Sequence, residues 1–226
     1  MIPKVSKELF DRIMYVLKLM LKDYEIMFVY FGGSVAYQCY EEGKSDYDIN
    51  VVVKDFKGYF HTNCNDIDFF VYGDKEAMDK QHMADYLPLY YKTYIDEVLG
   101  LDETLIYLNP KYQKEFNEYK NIEIEKNLVR FLDIFISYHQ DIIDDENRLG
   151  VKRLYHVIRL HEILANYKNT GKYSLDISDE TRKISAVYKR NFDNEQGLDI
   201  YNNVIIPAFL DIKNHLNELK EGETSG

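Results

Sequence analysis

Two short motifs, each joined to an apolar run, constrain this chain more than any other part of its sequence. The first is Gly32-Gly33-Ser34, which directly follows the apolar run 26–31. That run is too short for a typical helix and ends at glycine, so we predict a buried strand. Two glycines let the backbone turn sharply and approach a ligand, and Ser34 suits the N-cap of a helix over 35–40. The turn is either an ordinary strand-to-helix connection or a phosphate-binding loop.

The second motif places Asp46 and Asp48 at the start of another strand-like run, 48–53, which is rich in β-branched residues. Side chains alternate along an extended segment, so both carboxylates should point to one side. Two carboxylates about 4 Å apart repel by roughly 4 kcal/mol at an effective dielectric near 20, and a divalent cation removes that cost. Hard oxygen ligands suit Mg²⁺ or Mn²⁺. The alternative is a solvated turn with a local side-chain hydrogen bond.

A third carboxylate is available on the apolar run 66–72. Asp66 and Asp68 share one face by parity, while the apolar residues between them enter the core. We prefer Asp68 as the site residue, because an unpaired acid inside the apolar run would be expensive. Asp66, nearer the start of the strand, is expected to be a surface residue or a backup ligand.

In this order, the features resemble the nucleotidyltransferases related to DNA polymerase beta. That family has an apolar strand, Gly-Gly or Gly-Ser, a spacer, Asp-x-Asp on a second strand and a third acid on a later strand. The matching stretch here is 26–72. The resemblance implies a fold with a small mixed sheet flanked by helices.

The resemblance also implies a reaction. A nucleoside triphosphate would bind with two divalent ions, Mg²⁺ or Mn²⁺, and an acceptor hydroxyl would attack the α-phosphorus and expel pyrophosphate. By the same resemblance, Asp46 and Asp48 hold both ions, and Asp68 holds the ion nearer the acceptor and takes its proton. Gly33 and Ser34, with Gly32 in the same turn, would contact the β- and γ-phosphates.

The charge balance bears on possible partners. Lys and Arg total 28 against 39 Asp and Glu, a formal charge of −11. This acidity argues against an extensive grip on nucleic-acid phosphates, although a local basic patch could still bind a triphosphate or an RNA end. Two cysteines indicate neither a metal motif nor a disulfide framework. No apolar run reaches membrane-spanning length, so we expect a cytoplasmic protein without a membrane partner.

Hydrophobic periodicity predicts how the chain is organised. It indicates a first helix over 6–23, and helices dominate from about residue 122 onward. We therefore predict an α+β catalytic domain over 1–120, a helical bundle over 121–221 and a frayed tail over 222–226. Oligomeric state is left open.

One basic pattern in the carboxyl-terminal half is a further candidate. Lys152, His156 and Arg159 are spaced i, i+4 and i+7, so one helix would carry them on one stripe. The stripe either binds triphosphate charge or is a solvated face with Asp144 and Glu162 nearby. This spacing resembles a segment of the phage and bacterial nucleotidyltransferases associated with RNA ligases, which favours nucleotide binding.

Three functions remain open from the sequence. The first is transfer of a nucleoside monophosphate to an unidentified acceptor, such as an RNA end, a protein or a small molecule. The second is a minimal toxin- or antitoxin-type nucleotidyltransferase that modifies protein or tRNA. The third is a non-catalytic nucleotide-binding module, which the retention of Asp46, Asp48 and Ser34 argues against.

Overall fold

The chain divides into two compact units in its computed structural model. The first unit holds the described residues up to 81 together with 104–120, and the second holds those from 124 onward. The structure describes residues 5–36, 39–40, 43, 45–81, 104–120, 124–145, 151–171 and 176–224.

The first unit is an α+β structure built on a five-stranded sheet. Its described elements are α1 (Lys7–Met20), β1 (Ile26–Phe31), α2 (Gly33–Ala36), β2 (Tyr47–Val53), β3 (Tyr59–Cys64), β4 (Ile67–Gly73), α3 (Asp74–Gln81), β5 (Leu105–Leu108), a 3₁₀ turn (Pro110–Tyr112) and α4 (Gln113–Lys120). The predicted first helix and the three predicted strands are confirmed to within a few residues. Residues 82–103 lie outside the described residues.

The strand order is β3-β4-β2-β1-β5, and the sheet is mixed. β2 and β4 run parallel, whereas the other neighbouring pairs are antiparallel. Sequence periodicity did not predict β3, because this edge strand is half-exposed and alternates with polar residues instead of forming an apolar run. The parallel pair places the amino-terminal ends of β2 and β4 at the same edge of the sheet.

Both faces of the sheet are covered by helical residues. The N-cap of α1 is Ser6, which accepts a hydrogen bond from the Leu9 N–H at 3.1 Å. The buried strand residues that face α1 have odd numbers. They are Val29, Phe31, Ile49, Val51, Val53, Ile67, Phe69 and Val71. On the opposite face, Phe28, Tyr30, Val52 and Tyr72 pack with Tyr112, Phe116 and Tyr119. Burial on both faces explains why β1 and β2 are nearly continuous apolar runs.

The second unit is helical in all its described elements, as predicted. They are α5 (Ile124–Asp144), a 3₁₀ turn (Val151–Leu154), α6 (Tyr155–Thr170), α7 (Asp179–Asn191), α8 (Glu195–Ile200), a π-helical turn (Tyr201–Ile205) and α9 (Ile206–Thr224). The predicted tail over 222–226 is wrong for its first residues, because α9 continues to Thr224. Residues 225–226 lie outside the described part.

The π-helical turn between α8 and α9 has a local cause. Ile206 donates its N–H to the carbonyl of Tyr201, five residues back. Pro207 follows directly, and it has no N–H to continue the regular ladder, while its ring would clash with the carbonyl four residues earlier. A widened turn accommodates the ring without ending the helix.

Candidate active site

Asp48 and Asp68 lie side by side because β2 and β4 pair in parallel register. Their Cα atoms are direct register partners, and neighbouring strands are about 4.8 Å apart. Both side chains are half-buried and lie on the face opposite α1, since the odd-numbered Ile49 and Phe69 fill the core beneath that helix. The structure therefore brings these two predicted site residues together. We call this surface, defined by Asp48, Asp68, Asn50, His61 and Asn63, the acid-bearing face.

Asp46 lies directly before the strand that carries Asp48. It is exposed and precedes β2, which begins at Tyr47. Among the described residues, no three His, Cys, Asp or Glu side chains are grouped closely enough to hold a metal ion. Strand pairing thus makes Asp48 and Asp68 neighbours, while the participation of Asp46 stays a prediction.

Asp66 pairs with a residue of α1 instead of lying beside Asp68 on one face of the sheet. It sits in a turn before β4, next to Asn65 with its φ of 58°, and its carboxylate accepts a hydrogen bond from Arg12 of α1. Arg12 holds the pKa of Asp66 below its usual range, chiefly through that hydrogen bond. Because the turn breaks the strand alternation, Asp66 and Asp68 do not share a face, and the parity argument is wrong at this position.

The glycine turn lies directly against Asp48. Gly32 donates its N–H to the backbone carbonyl of Asp48 at 2.8 Å. Gly33 has a φ of 51°, and a Cβ added there would overlap the carboxylate of Asp48. Only glycine combines that backbone conformation with so close an approach. The turn and the acid pair therefore form one continuous site.

The helix after this turn is shorter than predicted. α2 covers Gly33–Ala36, so Ser34 lies inside its first turn, half-buried, instead of at the N-cap. The carbonyl of Ser34 accepts the N–H of Cys39 at 2.7 Å. The expected helix over 35–40 is wrong at its end, since residues 39–40 are not helical and 37–38 lie outside the described residues.

Two residues of β3 complete the surroundings of Asp68, and the sequence analysis missed both. Asn63 Nδ2 donates to Asp68 Oδ1 at 3.0 Å, and His61 Nε2 is 3.2 Å from the same oxygen. The i, i+2 spacing of His61 and Asn63 before a turn was the signal that could have found them. Their strand was not predicted, so their face could not be assigned.

Asn50 follows Asp48 on the same face but is only 2% exposed. Its Nδ2 has no hydrogen-bond partner among the described residues. A buried donor without a partner costs about 1–3 kcal/mol, so a polar group is retained on this face at the expense of stability.

The predicted stripe in the second unit is not a uniform surface. Lys152 lies in the 3₁₀ turn and is exposed, whereas Arg159 in α6 is 2% exposed. The 3₁₀ turn advances about 120° per residue instead of 100°, so the spacing of a continuous α-helix does not apply to Lys152. The alternative of a solvated face is wrong for Arg159, and Glu162 instead accepts the N–H of Ser178 at 2.7 Å.

Arg159 and His156 contact each other within this unit. Arg159 Nη2 donates to His156 Nδ1 at 2.8 Å, and the guanidinium lies 4.6 Å from the centre of the Tyr155 ring. Burial, followed by the neighbouring positive charge of Arg159, lowers the pKa of His156 well below its usual value. The imidazole is therefore neutral at pH 7, so Arg159 supplies the charge of this pair.

Comparisons with known proteins add no family to this geometry. No protein-family model matches this chain, and no curated protein matches it. In the described part of the chain, no helix has both the length and the apolar character needed to cross a membrane. The acid-bearing face and the glycine turn beside it are the features that bear on function.

Proposed function

We propose that this protein is a metal-dependent nucleotidyltransferase, which moves a nucleoside monophosphate from a nucleoside triphosphate to an acceptor hydroxyl and releases pyrophosphate. The observation that carries the proposal is the register pairing of Asp48 with Asp68, with Gly33 pressed against the Asp48 carboxylate. An acid pair next to a glycine turn combines charge for a divalent ion with backbone donors for phosphate. The resemblance to nucleotidyltransferases related to DNA polymerase beta supports the same reaction.

The donor set fits magnesium or manganese. Two carboxylates on neighbouring strands repel each other, and a divalent ion between them removes that cost. Magnesium is commonly bound by one or two carboxylates together with substrate phosphates. Asp48 and Asp68 therefore suffice once a triphosphate supplies further oxygens, and Asp46 can contribute from its exposed position beside β2. Both hydrogen bonds from β3 end on Oδ1 of Asp68, so neither occupies Oδ2.

In the proposed reaction, the glycine turn binds phosphates and the acid pair acts at the α-phosphorus. The N–H groups of Gly33 and Ser34 would donate to the β- and γ-phosphates, which holds the α-phosphorus toward the acid pair. The acceptor oxygen then bonds to the α-phosphorus as the bond from that phosphorus to the bridging oxygen breaks, and its proton passes to Asp68. When bound, the divalent ions supply positive charge that stabilises the attacking and leaving oxygens.

Within the second unit, Lys152 remains a candidate for holding triphosphate charge, whereas Arg159 and His156 bond to each other. Lys152 is the exposed member, so Lys152→Ala tests the contribution of charge without disturbing packing. We expect weaker triphosphate affinity with an unchanged melting temperature. Arg159→Ala is a poorer test, because the removal of a buried side chain also destabilises the unit.

Calorimetric titration tests the proposed function directly. MgATP, MgGTP, MgCTP and MgUTP are titrated into the wild type, Asp48→Asn and Asp55→Asn. Asp55 is a matched control, because it follows the opposite end of β2 and its φ of 55° suits asparagine. We expect binding of at least one triphosphate by the wild type and the control, and little by Asp48→Asn. Equal heats for all three proteins would overturn the proposal.

A further inference from the structure

The carboxylate of Asp68 is held by two side chains of the adjacent edge strand. Asn63 stands opposite Asp68 in the antiparallel register of β3 and β4, and its Nδ2 donates to Oδ1 at 3.0 Å. His61, two residues earlier and on the same face, has Nε2 at 3.2 Å from that oxygen. One of the two carboxylate oxygens therefore accepts hydrogen bonds from two side chains.

The ring of His61 is oriented by a second contact. It stands opposite Phe70, and the two rings stack with centroids 4.6 Å apart and planes 13° apart. A carboxylate oxygen accepts, so this bond uses the His61 tautomer that carries its hydrogen on Nε2. The stack keeps Nε2 directed at Asp68, although the side chain is 45% exposed. An exposed donor without such a stack would sample other rotamers.

The order of the strands decides what this arrangement does. β4 lies between β3 and β2, so His61 and Asn63 are on one side of Asp68 and Asp48 is on the other. Because both donors engage Oδ1, Oδ2 is the oxygen of Asp68 that they leave available. Two hydrogen bonds to one oxygen restrict rotation of the carboxylate about its Cβ–Cγ bond, which repulsion from Asp48 alone would not do.

We propose that His61 and Asn63 are positioning residues that hold Asp68 with Oδ2 available beside Asp48, so that both carboxylates can bind one divalent ion. The inference rests on the proposed function, because the ion belongs to that reaction. Residues that hydrogen-bond to ligating carboxylates change metal affinity by about 10- to 100-fold when they are removed.

Manganese binding tests the inference without any measurement of activity. The electron paramagnetic resonance signal of free Mn²⁺ gives the dissociation constant for the full chain, with and without a non-hydrolysable triphosphate. We expect affinity to fall about tenfold in His61→Ala and in Asn63→Ala. His61→Gln, whose amide N–H can replace Nε2–H, should recover most of the loss.

Thr62→Val is the matched control, because Thr62 lies on the same strand but stands opposite Phe69, which faces the core beneath α1. It should bind Mn²⁺ as the wild type does, and melting curves report whether each variant is folded. Folded His61→Ala and Asn63→Ala proteins that bind as tightly as the wild type would overturn the inference and leave the proposed function intact. A wild type that binds no Mn²⁺ would overturn both.

Discussion

The two units of this protein place ionisable residues in opposite environments. In the first unit, Asp48, Asp68 and His61 are half-buried or exposed, and strand register brings them together. In the second unit, His139 and Arg159 are enclosed within helices, at 1% and 2% exposure. The first arrangement leaves charge within reach of a ligand, whereas the second withdraws it from solvent.

The difference shows what each arrangement costs. Two neighbouring carboxylates repel each other, a cost that a bound cation would remove. In the second unit, His139 is hydrogen-bonded through Nδ1 to the carbonyl of Phe135 at 2.8 Å, and burial lowers its pKa to about 4. Protonation of this buried histidine is unfavourable, so the unit should be less stable in acid. Each prediction below tests this difference between the two units, in decreasing order of expected effect.

The largest expected effect comes from the acid pair. We expect Asp48→Asn and Asp68→Asn each to reduce pyrophosphate release by about a thousandfold, equivalent to roughly 4 kcal/mol. Melting temperatures should stay equal or rise, because each change relieves the repulsion between neighbouring carboxylates. A labelled-triphosphate assay with acceptor fractions gives the first quantity, and thermal melting gives the second. Lower stability with retained turnover would make the pair structural.

Acid should weaken the second unit through His139. Its pKa of about 4 in the folded chain lies below the ordinary value of 6.5, so the unfolded chain binds the extra proton between those limits. The free energy of unfolding should therefore be intact above about pH 6.5 and fall by about 3 kcal/mol as the pH approaches 4. Chemical denaturation across that window measures the slope.

His139→Phe is the control for this pH dependence. Phenylalanine keeps a ring to stack on Phe135, whose centroid is 3.9 Å from that of His139, but cannot titrate. Carboxylates titrate in both proteins, so the difference between the two slopes reports His139 together with its effect on the pKa of the neighbouring His156. Identical slopes would show that His139 does not set the acid sensitivity.

One glycine from each unit, with closely similar backbone conformations, allows a matched comparison of the two units. Gly33 and Gly171 have φ values of 51° and 66°, so alanine should cost each unit about 1 kcal/mol. Only at Gly33 does the new Cβ meet Asp48, while among the described residues beyond its chain neighbours nothing lies within 4 Å at Gly171. We expect Gly33→Ala to weaken MgNTP binding at least tenfold, or about 1.4 kcal/mol further, and Gly171→Ala to leave it unchanged. Equal affinities of Gly33→Ala and Gly171→Ala in calorimetry would show that the glycine turn is not part of the site.

The smallest effect is expected at Asp66. Its ion pair with Arg12 is about half exposed, and such pairs contribute about 0–1 kcal/mol. Asp66→Asn should therefore change stability slightly and leave Mn²⁺ and triphosphate affinities unchanged. Weakened Mn²⁺ binding in this variant would return Asp66 to the site as the backup ligand.

The sequence predicted the parts of the fold that carry strong local patterns. β1, β2, β4 and α1 have apolar runs or helical periodicity that survive in the structure. β3 was missed because an edge strand with alternating polar residues carries no such pattern. Because β3 was not predicted, His61 and Asn63 were not assigned to the site, although they are close to Asp68 in the chain and hydrogen-bond to it.

Errors within the site came from extending one local rule too far. Alternation along a strand is reliable inside β2 and β4, and it correctly puts Asp48 and Asp68 on faces opposite the α1 core. It failed at Asp66, which lies in the turn before β4 and pairs with Arg12. Likewise, an i, i+4, i+7 stripe presumes a continuous α-helix, and the 3₁₀ turn at Lys152 interrupts it.

By itself, the sequence determined the glycine turn, the acidic residues and the strands that carry them, since these depend on local backbone preference and hydrophobic patterning. Only the tertiary structure decided that β2 and β4 are parallel neighbours in matched register, and hence that Asp48 meets Asp68 while Asp66 turns to Arg12. Strand pairing joins residues distant in the chain, and that choice is made by the packing of both sheet faces, which no local pattern records.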